Sequence, residues 1–82
     1  MHNTTTTQTT TTKTRGQLEA EMLATLHQFN PGVRSVSVIG KLVHVGTNDV
    51  ESTIGVARDL ARVFATVTTE ANPYGWYLVV AQ

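Results

Sequence analysis

Apolar residues recur at helical spacing in the first third of the chain: Leu18, Met22, Leu26 and Phe29 fall three or four apart, and Leu23 widens the stripe. Glu19, Glu21 and Gln28 fall on the other side, so the segment predicts an amphipathic helix. Thr14-Arg15-Gly16-Gln17 reads as its capping box, with the Thr hydroxyl offered to the Gln17 amide and the Gln side chain reaching back. Asn30-Pro31-Gly32 should end it, because the residue before Pro avoids the α region and Pro-Gly suits a type II turn.

From Val33 to Ile39 the period changes to two, the mark of a half-buried strand. A turn at Gly40-Lys41 would pair Ile39 with Leu42, Val38 with Val43 and Val36 with Val45. The valines then share one face, and Ser35, Ser37 and His44 share the other. After Gly46, either Asn48 or Asp49 can cap a second helix, with Glu51 three residues beyond Asn48. Its expected apolar stripe is Val50, Ile54, Ala57, Leu60, Ala61 and Phe64, and Gly55 inside it suggests a close approach to the sheet. Thr66 to Ala71 reads as a strand, Asn72 to Gly75 as a turn, and Trp76 to Ala81 as a last strand that is apolar on both faces. Such a strand is either central in its sheet or covered by another subunit. The predicted fold is α+β, in the order αββαββ, with two helices packed on one face of an antiparallel sheet.

The 82 residues leave room for one domain, residues 14–82, behind a tail, residues 1–13. Thr4 to Thr12 are Thr except for Gln8, so the tail offers little apolar surface to offset ordering and is expected to be disordered. Without cysteine, disulfides and thiol chemistry are excluded, and oligomerisation is the expected support for so small a core. Six Lys and Arg balance six Asp and Glu, which disfavours nucleic acid as a partner. No apolar run approaches a membrane span, and the N-terminus carries no hydrophobic signal segment. A cytoplasmic protein with no integral membrane part is the expectation.

The stretch from Val36 to Asn72 resembles the BON domain, a small αββαβ module. Gly40 and Gly46-Thr47 match its Gly-anchored hairpin; Ala57, Leu60, Ala61 and Phe64 match its helix; Val67 and Asn72 match the strand and residue that follow. Thr66 stands where that family has Gly, Glu70 and His44 where it has apolar residues, and the Trp76-to-Ala81 strand has no counterpart. The resemblance implies a binding role toward phospholipid or envelope proteins, peripheral to a membrane, without catalytic residues or cofactor.

Candidate chemistry is sparse. His2, His27 and His44 lack metal-ligand spacing, so no metal and no cofactor is expected. Ser37 would lie across from His44, but no acid is placed to orient the imidazole. Asn48, Asp49 and Glu51 are explained by helix capping. Tyr74, Trp76 and Tyr77 cluster around the last turn, and with Val79 they are the candidate partner-binding residues, since Tyr and Trp are enriched at interface hot spots. The expected function is that of a non-enzymatic protein-interaction module, a homo-oligomer acting through its sheet surface or edge. Two other classes compete with it: a BON-like lipid- or envelope-binding domain, and a small inhibitor of the phage-encoded kind that occludes a host protein.

Overall fold

The computed structural model describes residues 14–82, and the Thr-rich stretch lies outside them. Six elements follow one another: α1 (Arg15–Phe29), β1 (Val33–Ile39), β2 (Leu42–Thr47), α2 (Val50–Leu60), β3 (Val67–Ala71) and β4 (Tyr77–Ala81). Over the described residues the fold is α+β, with two helices and one four-stranded antiparallel sheet in the order β1-β2-β4-β3. β4 therefore fills a central place, with Val79 and Ala81 of one face buried and Leu78 and Val80 of the other half-buried. β2 and β3 run parallel on either side of it, joined through α2 as a split β-α-β unit.

The β1-β2 hairpin has the register that the valine pattern predicts, with Val36 opposite Val45, Val38 opposite Val43 and Ser37 opposite His44. Gly40 takes a positive φ of 62° at its turn, a conformation that side-chain-bearing residues rarely adopt. Both halves of the α1 capping box form: Gln17 N–H donates to Thr14 Oγ1 at 3.1 Å, and Thr14 N–H donates to Gln17 Oε1 at 3.0 Å. The end of α1 differs from expectation. Val33 N–H closes a turn on Asn30 O at 3.0 Å, yet Gly32 is outside the left-handed region that a type II turn requires. Glycine is needed there for room, because a Cβ would collide with the carboxylate of Asp49 and the hydroxyl of Ser52.

One core joins the layers: Leu26 of α1, Val56 and Leu60 of α2, Val43 and Val45 of β2, and Val79 and Ala81 of β4, with Val33 beside them. The buried side of α2 keeps only part of the apolar stripe that its sequence suggests: Leu60 is buried, and Ala57 and Phe64 pack against the core. Val50 and Ile54 are exposed, whereas Ser52, Thr53 and Val56 are buried. The buried hydroxyls are satisfied: Gly32 N–H donates to Ser52 Oγ at 2.8 Å, and Thr53 Oγ1 donates to Asp49 O at 2.7 Å. With its proton so used, Thr53 Oγ1 accepts from Thr47 Oγ1 at 2.5 Å, tying α2 to β2. Asp49, rather than Asn48, is the N-cap, accepting from Ser52 N–H at 2.7 Å. Gly55 makes its close approach to the side chain of Asn30 at the end of α1 rather than to the sheet.

Glu19 is half-buried instead of lying on the outer side of α1, and Val38 N–H, on edge strand β1, donates to its carboxylate at 2.6 Å. An unpaired N–H on a sheet edge is a template for another strand, and this carboxylate blocks it. Glu19→Ala is expected to lower stability by about 1–3 kcal/mol, the scale of losing a charged acceptor for a part-buried donor. A urea titration checks it; an unchanged midpoint would show that water replaces the carboxylate at no cost.

Candidate functional site

The turn before β4 is tied to its own backbone. Asn72 N–H donates to Trp76 O at 2.7 Å, Gly75 N–H to Asn72 O at 3.1 Å, and Tyr74 N–H to Asn72 Oδ1 at 2.8 Å. Gly75 adopts a φ of 97°, which closes the turn. The structure then disperses the four candidate residues. Tyr74 projects from the turn, 88% exposed. Tyr77 is half-buried opposite Thr47, on the same side of the sheet as Val79. Val79 is completely buried in the core and has no surface to offer a partner, a correction to its place among the candidate contacts. Trp76 alone joins a surface built from several strands.

That surface is the side of the sheet opposite the core. Alternation along β2 and β4 places Leu42, His44, Leu78 and Val80 there, all half-buried, and β1 adds Ser35, Ser37 and the exposed Ile39. Thr68 and Glu70 of β3 lie beside Val80 and Leu78. Arg34 sits where the β1-β2 register shifts, between Val33 and Ser35. Its guanidinium carbon is 5.1 Å from the centre of the Trp76 ring, within the range of a cation–π contact worth about 0.5–1 kcal/mol at an accessible site.

Gly46 makes that contact possible. A Cβ on Gly46 would lie 2.7 Å from Ser35 Oγ and 3.1 Å from Arg34 Cγ. The arginine stem therefore crosses β2 in the space of the missing side chain and reaches Trp76 beside β4. Arg34 has no signal of its own in the sequence. A glycine inside a strand does mark a close approach, so Gly46 was the available clue.

His44 has Ser37 on one side and Val80 on the other. No hydrogen bond joins Ser37 and His44 among the described residues, and a base must reach its nucleophile through such a bond. His27 lies exposed in the last turn of α1. Among the described residues, no three His, Asp or Glu side chains gather as a metal site would require, and no helix is long and apolar enough to cross a membrane.

No family model, curated protein or solved structure matches this chain.

Proposed function

We propose that this chain is a small non-enzymatic protein-interaction module that binds another protein, or a second copy of itself, through the open face of its sheet. In this reading the αββαββ domain stacks both helices on the valine face and leaves the other face for a partner. The observation that carries it is the Arg34–Trp76 pair beside half-buried Leu42, Leu78 and Val80. Interfaces combine such features: an aromatic anchor, an arginine and an apolar centre, with polar groups such as Ser35, Ser37, Thr68 and Glu70 at the margin. Pairing along the sheet edge is the lesser route, since β1 is blocked at Glu19 and β3 is only five residues long.

Leu78→Lys tests the reading. The new ammonium would stand across from Glu70 on β3, so the change suits the fold while placing a charge in the middle of the face. Light scattering at micromolar concentration is expected to show a mass above one chain, or capture from the cells that make the protein to retain one stoichiometric partner. Leu78→Lys should abolish whichever is seen without moving the thermal midpoint by more than a few degrees. Association that survives the substitution would overturn the proposal. So would cosedimentation with anionic phospholipid vesicles in the absence of any protein partner, the outcome that a BON-like lipid-binding domain requires.

A further inference from the structure

A second surface lies on the helix side of the molecule, away from the sheet face. The helices touch where Asn30 fills the space over Gly55, and beyond that contact they stand apart. The groove between them holds about 750 Å³. Leu18, Met22, Leu26 and Phe29 line one wall, and Val63 and Phe64 line the other. Two of these are almost wholly out of the core, Phe29 at 69% exposure and Val63 at 79%. Large apolar residues clustered and exposed in this way mark an interaction site.

The charges around the groove choose among its occupants. Asp59 already accepts from Asn30 Nδ2 at 3.4 Å, and Glu21 has an interaction of its own. Arg58, in the last turn of α2, and Arg62, just beyond it, are exposed, and among the described residues neither guanidinium forms a hydrogen bond or an ion pair. The two guanidiniums therefore sit along the α2 side of a trough whose lining also includes the carboxylates of Asp59 and, from α1, Glu21. The first thirteen residues of the chain cannot complement it, since they contain one large apolar residue, Met1, and no carboxylate.

The geometry points to an amphipathic helix of a partner protein, with an apolar stripe flanked by Asp or Glu, as the occupant of this groove. From Leu18 to Phe29 the α1 wall extends about 16 Å at 1.5 Å per residue, enough for about three turns of a docked helix. Anchors spaced i, i+3 or i+4, and i+7 would enter between Met22, Phe29 and Val63, as in other helix-in-groove complexes. Carboxylates beside that stripe would meet Arg58 and Arg62, where charge sets the docking direction and excludes basic helices. This site is independent of the sheet-face reading, and one can fail without the other.

A fluorescein-labelled 18-residue peptide with leucines at that spacing, flanked by glutamates, is the probe, and its twin carries lysines in place of the glutamates. Anisotropy titrations against the full chain should show the acidic peptide binding at least tenfold more tightly than the basic one. Val63→Glu, at a highly exposed position that cannot unfold the core, should abolish binding. The Arg58→Glu, Arg62→Glu double variant should reverse the preference and favour the basic peptide. Leu78→Lys, on the sheet face, should leave the affinity unchanged. Equal affinity for the two peptides, no binding of either at millimolar concentration, or binding that ignores Val63→Glu would overturn the proposal. So would self-association removed by Val63→Glu, which would make a second copy of the chain the occupant.

Discussion

Replacing Val79 with lysine is expected to unfold the domain. Val79 is completely buried, paired with Val45 on β2 and Thr69 on β3, at the centre of the cluster that joins both helices to the sheet. An ammonium there would have no partner, and burying an unpaired charge costs several kcal/mol in addition to the lost packing. A domain of this length holds about 4–10 kcal/mol in total. Far-UV circular dichroism should show loss of cooperative folding for Val79→Lys, whereas Trp76→Ala, at a half-buried surface position, should keep a cooperative transition. A folded Val79→Lys with reduced association would return Val79 to the interface and contradict the sheet order described above.

Gly55→Ala should be destabilising although it places a better helix former in the middle of α2. In an open helix the exchange would stabilise by about 1 kcal/mol. Here the added methyl would overlap Asn30 Oδ1, and that amide is not free to move. Asn30 is buried, and its Nδ2 donates to Leu26 O at 3.0 Å and to Asp59 Oδ2 at 3.4 Å. Its carbonyl oxygen is thereby held over Gly55. Overpacking of this kind costs about 1–3 kcal/mol, which outweighs the propensity gain. The interaction can be isolated with Asn30→Ala. In that background Gly55→Ala should become neutral or stabilising, so the double-mutant cycle should give a coupling of at least about 1 kcal/mol. Additive effects would show that α2 shifts away from α1 freely and that the contact fixes nothing.

These two positions show where the sequence was informative and where it was not. The last strand reads as apolar on both faces, which left two possibilities open, a central place or a covering subunit. β4 proves central, between β2 and β3, and Val79 owes its burial to the core it shares with Leu26, Val56 and Leu60, while Leu78 and Val80 on the other side stay half-buried. The glycine in α2 signalled a close approach but not its partner, because Asn30 is 25 positions away and serves locally as the cap of α1. The candidate surface was legible only at Trp76. Arg34 reaches it through a register shift and a gap at Gly46, features that involve three strands at once.

By itself the sequence determined what depends on neighbours within a turn or a hairpin. The α1 capping box, the stop at Asn30-Pro31, the turn at Gly40 and the pairing of β1 with β2 all follow from hydrogen bonds and side-chain alternation over fewer than about ten residues. The tertiary structure decided which face of α2 is buried. Of the stripe that hydrophobicity selects, Leu60, Ala57 and Phe64 stay with the core, yet Val50, Ile54 and Ala61 are exposed, and Ser52, Thr53 and Val56 face inward instead. Polar side chains can take buried places when partners satisfy them: Gly32, from the end of α1, serves Ser52, and the nearby Thr47 and Asp49 carbonyl serve Thr53. Ile54 and Val50 are left outside, and so are Phe29 and Val63, because the contact of Asn30 with Gly55 sets how the helices meet. That choice rests on pairings between residues far apart in the chain, which no local period records.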